Sequence, residues 1–105
     1  MKEVTVSELK AMMDEGADFQ LIDVREPNEA EIAEIGGELI PMGDIPENVA
    51  RISKDKKVVI HCRSGARSGN IVKYLENNHG FDNLYNPKGG ILAWADEIDP
   101  DISKY

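Results

Sequence analysis

The only cysteine of the chain, Cys62, lies in the octapeptide His-Cys-Arg-Ser-Gly-Ala-Arg-Ser at residues 61–68. An apolar run, Val58-Val59-Ile60, precedes it and predicts a buried strand. Apolar residues behind the octapeptide recur at helical spacing and predict a helix. The thiol is therefore expected where a strand passes into a helix start, where unpaired backbone N–H groups favour an anion. A thiolate, the nucleophilic form of cysteine, is such an anion.

The residues after Cys62 add to this preference for negative charge. Ser64, Gly65 and Ala66 are small, so their successive backbone N–H groups can curl around an anion. Arg67 can present a bidentate fork to an oxyanion, and Arg63 adds a second cation. These neighbours distinguish Cys62 from the commoner case of a buried, unreactive cysteine after a strand.

Ser68 completes the octapeptide and has two roles that the residues leave open. Its hydroxyl can donate to the sulfur or cap the helix.

Length and charge limit the possible partners. With 105 residues the chain is expected to form a single domain over residues 1–105. The formal net charge of −8 argues against a nucleic-acid or membrane partner. No apolar run approaches the roughly 20 residues of a membrane span, and no secretory signal is recognised. A single cysteine allows no internal disulfide, which favours a cytoplasmic location.

Apolar spacing predicts strands that alternate with helices. A first helix is expected from a Thr5–Glu8 capping box to Gly16, and a second from Pro27 through Ala33, broken by Gly36-Gly37. Further helices are predicted over 44–52, behind the cysteine loop to about Asn78, and after Gly89-Gly90. Strands are predicted over 19–24, 39–40, 56–60 and 84–85.

This alternation predicts an α/β fold with a mostly parallel central sheet of about five strands and helices on both faces. Ligands in such sheets bind beyond the carboxyl ends of the strands. Asp23 and Cys62 are both expected at that end.

Three segments in register resemble the single-domain rhodaneses, a sulfurtransferase family with a cysteine loop at a strand–helix junction. They are Leu-Ile-Asp-Val-Arg-Glu-Pro at 21–27, the loop at 62–68, and Gly89-Gly90 with Ala93-Trp94. The resemblance covers the whole chain and implies a small rhodanese-like domain. No cofactor is implied.

In rhodaneses the loop cysteine accepts a sulfane sulfur as a persulfide and passes it to a thiol or cyanide. The resemblance makes Cys62 the nucleophile. The backbone from Arg63 to Arg67 would hold the persulfide, and the arginine side chains would hold a small anionic donor such as thiosulfate. Asp23 and Arg25 match a strand-end pair expected to support the loop. Gly89, Gly90 and Trp94 are expected to be architectural.

Residues 31–41 lack the histidine that many rhodaneses carry after the first motif. This resembles the variant in rhodanese domains that serve sulfur-carrier activation, often fused to adenylating enzymes. A partner sulfur-carrier protein is thus one expected acceptor.

Two other functions compete with sulfur transfer. Cysteine-dependent phosphatases place five residues between Cys and Arg, whereas four lie between Cys62 and Arg67, and arsenate reductases usually need further thiols. A non-catalytic binding or sulfur-carrier module is the other alternative, although such modules commonly lose the cysteine. His61 and His79 are assigned to packing and to a helix end, so no metal site is expected.

Overall fold

The computed structural model describes residues 1–105, with five strands, four α-helices and two 3₁₀ segments. The strands are β1 (Glu3–Val4), β2 (Phe19–Asp23), β3 (Glu38–Leu39), β4 (Lys57–His61) and β5 (Leu84–Pro87). The helices are α1 (Val6–Asp14), α2 (Pro27–Ile32), α3 (Ala66–His79) and α4 (Gly90–Glu97). The 3₁₀ segments are Met42–Glu47 and Val49–Arg51. None of the helices has the length and apolarity needed to cross a membrane.

All five strands join one parallel sheet in the order β1-β5-β4-β2-β3, which confirms the predicted α/β class. The strand before the cysteine loop, β4, is central, as its uninterrupted apolar run indicates. Asp23 is paired in register with His61, the residue before Cys62. The carboxyl ends of β2 and β4 therefore lie side by side.

Side-chain alternation along β4 divides the core between the two faces of the sheet. Val58, Ile60 and Cys62 pack in a cluster that includes Ile71, Val72 and Leu75 of α3. Val59 points the other way, into a cluster with Leu9 of α1 and Trp94 of α4. Helices thus cover both faces, as predicted, and Trp94 belongs to the core.

The first two helices begin where their local signals predict. Thr5 accepts the Glu8 N–H at 3.0 Å, while the Glu8 carboxylate accepts the Thr5 N–H at 2.9 Å. Pro27 opens α2. The predicted extent of α2 was too long, because the helix ends at Ile32 and Ala33 is already extended (φ −161°, ψ 141°), well before Gly36.

The predicted helix over residues 44–52 is wrong. Two short 3₁₀ segments, Met42–Glu47 and Val49–Arg51, occupy this region. Pro46 lacks an N–H group and disfavours α geometry at the preceding Ile45, so an α-helix that begins before Pro46 is disfavoured. The apolar spacing nevertheless matches the side of this segment that faces the core, since Ile45 and Ile52 are both buried.

Candidate functional site

Cys62 directly follows β4, and α3 begins four residues later at Ala66. Gly65 makes the sharp turn between them, with a φ of +106° that other residues rarely adopt. The strand-to-helix placement of the thiol is thus confirmed. The thiol was expected at a solvent-reachable loop. Ser64 and Ala66 of this loop are exposed, but Cys62 itself is only 1% exposed and packs in the core cluster of α3.

The Cys62 sulfur accepts a hydrogen bond from the loop backbone and lies within hydrogen-bond distance of a hydroxyl group on α3. The Gly65 N–H donates to Sγ at 3.1 Å, and the Ser68 hydroxyl lies 3.3 Å from Sγ. Burial raises the pKa of the Cys62 thiol. Hydrogen bonds to the thiolate from the Ser68 hydroxyl and from the backbone of Ser68, Gly65 and Ser64 together lower the pKa by more than burial raises it, so the net shift is downward. The loop therefore stabilises a thiolate.

Asn86 connects the Gly65 turn of this loop to Ser68 on α3, although sequence reasoning missed it. Its Nδ2 donates to the Gly65 carbonyl at 3.0 Å, and its Oδ1 lies 2.7 Å from the Ser68 hydroxyl. Asn86 belongs to β5, the neighbour of β4 on the side away from β2. The rule that polar groups at the carboxyl ends of parallel strands serve the site could have found it.

Arg67 is brought to the rim of the loop, but its fork is already engaged. Its two terminal nitrogens donate to the two carboxylate oxygens of Glu29 at 2.6 and 2.8 Å. This pair raises the pKa of Arg67 and lowers that of Glu29 to about 2, with the Arg67 hydrogen bonds as the main cause for Glu29. Glu29, on α2, is a second site residue that the sequence did not indicate.

Tyr105 closes this network from the far end of the sequence. Its hydroxyl donates to Glu29 at 2.7 Å and accepts from Arg25 at 2.8 Å. The guanidinium of Arg63 donates to the Tyr105 backbone carbonyl and lies 5.2 Å from the centre of its ring. Both loop arginines therefore already have protein partners.

Asp23 and Arg25 form a buried ion pair beside the loop. The Arg25 Nε donates to Asp23 Oδ1 at 2.9 Å, and its Nη2 donates to Oδ2 at 2.7 Å. The same Nη2 lies 2.7 Å from the carbonyl of Ala33, just past the end of α2. Burial lowers the pKa of Arg25, but its bonds to Asp23 and Tyr105 raise it on balance, so the guanidinium stays charged. The pair ties β2 to α2, which carries Glu29.

His61 is buried, and its ring lies away from the sulfur. Its Nε2 is 3.9 Å from Asp23 Oδ2 and makes no hydrogen bond, while its Nδ1 is 3.5 Å from the Cys62 carbonyl. Burial lowers the pKa of His61, which keeps the ring neutral. This placement fits the packing role assigned from strand alternation.

The start of α4 holds the loop carbonyls from the opposite side. The N–H groups of Ile91 and Leu92 donate to the carbonyls of Cys62 and Arg63, both at 3.1 Å. A Cβ atom at Gly90 would lie only 2.5 Å from the Arg63 carbonyl oxygen. Gly90 therefore permits this close approach.

The site is not a large cavity. A cavity of about 320 Å³ lies elsewhere, beside the starts of α1 and α4. Its lining residues are Thr5, Val6, Lys88, Gly89, Ala93 and Glu97. None of the residues around the thiol lines it. No three His, Cys, Asp or Glu side chains are grouped closely enough to hold a metal ion.

Comparison with known proteins assigns the chain to a family. The rhodanese-like domain family matches residues 5–97. The chain belongs to the rhodanese-like domain family. YtwF of Bacillus subtilis, whose name proposes a sulfurtransferase, is 42% identical over 95% of this chain and 96% of its own length. A sulfurtransferase of Allochromatium vinosum is 38% identical over 90% of this chain and 89% of its own length.

Solved structures agree with the family assignment. A rhodanese-like domain protein of Staphylococcus aureus is 40% identical and superposes with a TM-score of 0.83 over 93% of this chain and 95% of its own. A Rhodopseudomonas palustris protein, described as a possible tyrosine phosphatase, is 25% identical with a TM-score of 0.79 over 91% of this chain and 80% of its own. The fold thus accommodates proteins described in both ways.

One relative joins this domain to a second activity. MoeZ of Mycobacterium tuberculosis, named a probable adenylyltransferase and sulfurtransferase, is 36% identical over 97% of this chain. The match spans only 26% of MoeZ. The chain thus corresponds to one domain of that longer protein, and family membership supports sulfur transfer as the general class of reaction.

Proposed function

We propose that the chain is a sulfurtransferase whose Cys62 carries sulfur as a persulfide in the cytoplasm. The observation that carries this proposal is the hydrogen bond to the Cys62 sulfur, which the Gly65 N–H donates at 3.1 Å at the start of α3. A group placed in this way is stabilised as an anion, and the thiolate is the form of cysteine that attacks. The sulfurtransferase names of the full-length relatives support the same reaction class.

The proposed reaction has two displacements at sulfur. In the first, the Cys62 thiolate attacks the outer sulfur of a donor such as thiosulfate, and the donor's S–S bond breaks as sulfite leaves with the electron pair. In the second, a thiolate or cyanide attacks the outer sulfur of the persulfide. The bond to Sγ then breaks, and Cys62 leaves as a thiolate. The cysteine is regenerated without an external oxidant or reductant.

The persulfide helps to explain how a buried cysteine can react with an acceptor. Cys62 is 1% exposed, so a bulky acceptor cannot contact Sγ in this conformation. An S–S bond places the reactive outer sulfur about 2 Å beyond Sγ. The backbone from Arg63 to Arg67 is proposed to surround that sulfur, and Ser68 to donate to Sγ.

The acceptor in this proposal comes from outside the chain. Cys62 is the only cysteine, so no internal thiol can take the sulfur as a disulfide. An external thiol, cyanide or a sulfur-carrier protein remains. The similarity to one domain of MoeZ supports a sulfur-carrier partner.

Phosphatase activity is the second candidate, favoured by the likeness to the Rhodopseudomonas palustris protein. One feature weighs against it. Only four residues separate Cys62 from Arg67, which makes a smaller cradle than a phosphoryl group requires. The pairing of Arg67 with Glu29 at 2.6 and 2.8 Å does not discriminate, because it hinders phosphate and an anionic sulfur donor alike.

Intact-mass spectrometry after incubation with thiosulfate tests the proposal. We expect a gain of one sulfur atom that is lost on treatment with cyanide and is absent from Cys62→Ser. No adduct together with hydrolysis of an aryl phosphate would favour the phosphatase, and reduction of arsenate would favour an arsenate reductase. No adduct and no hydrolysis or reduction would favour a non-catalytic binding module.

A further inference from the structure

The Ser68 hydroxyl lies between two groups that compete for its single proton. It is 2.7 Å from Asn86 Oδ1 and 3.3 Å from Cys62 Sγ. Ser68 is 0% exposed and Asn86 is 3% exposed, so water cannot substitute for either partner. A hydroxyl donates one hydrogen bond and can accept two. Ser68 can therefore donate to Asn86 or to Cys62, but not to both.

The direction of the Asn86 amide is fixed by the loop itself. Its Nδ2 lies 3.0 Å from the Gly65 carbonyl oxygen, which can only accept. The amino end of the amide must therefore face Gly65, and Oδ1 must face Ser68. Because Oδ1 can only accept, the 2.7 Å contact requires the Ser68 proton to point at Asn86.

From this geometry we infer that Asn86 is a positioning residue that holds the Ser68 proton away from Cys62 while the sulfur carries its own proton. In that state the Ser68 oxygen accepts a hydrogen bond from the thiol. When the thiol ionises, the hydroxyl turns to the sulfur and gives up its bond to Asn86. The inference rests on the proposed function only in taking Cys62 as the reacting atom.

This exchange links the hydroxyl to the charge on the sulfur. The proton is available to the thiolate that attacks the donor and to the thiolate that leaves after sulfur is passed on. Because Asn86 also accepts this proton, the hydrogen bond from Ser68 to the thiolate forms only when the Ser68–Asn86 hydrogen bond breaks. Asn86 therefore disfavours the thiolate relative to a loop in which Ser68 had no other acceptor. The Gly65 N–H, which donates to the sulfur at 3.1 Å, has no competing acceptor in this exchange.

The charged groups around the thiol are held by other partners. From α3, Arg67 is paired with Glu29 of α2, and from β2, Asp23 is paired with Arg25. His61 of β4 is buried and held neutral. None of them makes a hydrogen bond with the side chain of Asn86 or Ser68. Substitutions at these two positions thus leave the ion pairs in place.

A double-mutant cycle measures the competition directly. The thiol is titrated by the ultraviolet absorbance of the thiolate in Asn86→Ala, Ser68→Ala, the double variant and the unsubstituted protein, with Cys62→Ser as blank. Since Cys62 is the only cysteine, the difference reports on that thiol alone. The Ser68→Ala background isolates whatever Asn86 contributes by anchoring Gly65.

We expect Asn86→Ala to lower the titration midpoint by about one pH unit more when Ser68 is present than when it is absent. An equal shift in both backgrounds would overturn the inference, because Asn86 would then act on the loop alone. A titration midpoint that Asn86→Ala raises more in the presence of Ser68 than in its absence would overturn the inference as well.

A measurement on the unsubstituted protein keeps the inference testable if Asn86→Ala fails to fold. The side-chain amide signals of Asn86 are followed by ¹⁵N NMR through the thiol titration. We expect them to move with the midpoint of Cys62, and to move much less in Ser68→Ala. No movement, or equal movement in Ser68→Ala, contradicts the inference.

Neither readout depends on sulfur transfer. Coupling without persulfide formation would therefore overturn the proposed function alone. Persulfide formation without coupling would overturn the role of Asn86 alone.

Discussion

Arg67 and Glu29 form a two-pronged ion pair at the rim of the cysteine loop, with N–O distances of 2.6 and 2.8 Å. The pair joins α3 to α2, and Tyr105 donates to the same carboxylate at 2.7 Å. An anionic donor that uses the same face of the Arg67 guanidinium must therefore compete with Glu29. In the proposed reaction, Glu29 therefore weakens the binding of a small anionic donor such as thiosulfate to Arg67.

Replacing Glu29 by Gln is expected to improve thiosulfate use. The change removes the charge that occupies Arg67 and frees its fork for an oxyanion. A charge-assisted hydrogen bond from the freed Arg67 to the donor contributes enough free energy for a rise of about tenfold in kcat/KM for thiosulfate. Steady-state thiosulfate:cyanide transfer measures the effect. Glu31→Gln, an exposed position on the same helix, makes the same charge change and is the control. If both variants behave alike, Arg67 does not bind the donor.

Arg67→Ala tests the same role from the other partner. We expect it to reduce kcat/KM for thiosulfate about tenfold or more, because the cation that recognises the anion is lost. Transfer from a persulfide formed beforehand to cyanide should change much less, since that step needs no anionic donor. Single-turnover assays separate the two steps. An equal loss in both would mean that Arg67 only maintains the structure.

The Glu29–Arg67 pair also predicts a dependence of stability on pH. The pKa of Glu29 falls from an ordinary value of 4.5 to about 2 in the folded chain. A lowered pKa means that the pair stabilises the fold fully above about pH 4.5 and loses this contribution as the pH falls towards 2. Thermal unfolding of the unsubstituted protein and Glu29→Gln should differ at neutral pH and converge near pH 2. A difference that is constant with pH would contradict the assignment.

Arg25→Met is expected to destabilise the domain strongly. It removes the only cation paired with the buried Asp23 carboxylate and leaves it the backbone N–H of residue 25 as a donor, at 3.0 Å. Loss of the charge partner costs about 3–5 kcal/mol in the free energy of unfolding. Urea unfolding measures this change. Arg51→Met is the matched control, because Arg51 pairs with Glu38 at 2.5 Å with both side chains largely exposed, and its loss should cost less than about 1 kcal/mol. Similar costs for the two variants would show that Asp23 finds another partner.

Features that depend on neighbours in the sequence were predictable, whereas long-range partners were not. The Thr5–Glu8 capping box and the strand-to-helix position of Cys62 follow from local spacing, and both are confirmed. Glu29 and Asn86 reach the loop only through packing, from 38 and 18 residues away from Arg67 and Ser68. Their residue types alone carry no sign of those contacts, although the position of Asn86 near the carboxyl end of β5 does point to the site.

Two other differences have local physical causes that pattern reading underweighted. The helical spacing of Ile45, Val49 and Ile52 predicted one apolar face, and Ile45 and Ile52 are buried while Val49 is partly buried. The region nevertheless forms two 3₁₀ segments, the first of which contains Pro46. Cys62 follows the inward alternation of Val58 and Ile60, which places it in the core and not at the surface.

Gly90→Ala is expected to disturb the cysteine loop from the opposite side of the site. The added Cβ would lie 2.5 Å from the Arg63 carbonyl oxygen and 2.8 Å from that of Cys62, and the φ of +59° is strained for alanine. We expect a loss of about 2–4 kcal/mol in the free energy of unfolding. Because Ile91 and Leu92 donate to the same two carbonyls, the loop must shift as α4 moves away. Persulfide formation should therefore slow even under conditions where the variant is fully folded.

Gly43→Ala is the matched control for this prediction, since a Cβ there has no neighbour within 4 Å. It should change the free energy of unfolding by less than about 1 kcal/mol and leave persulfide formation unaltered. Urea unfolding and intact-mass time courses with thiosulfate check both variants. If Gly90→Ala is as stable and as fast as Gly43→Ala, the α4 start does not position the loop. If it is destabilised but equally fast when folded, Gly90 serves the fold and not the reaction, because the loop carbonyls would then hold their places without the α4 N–H groups.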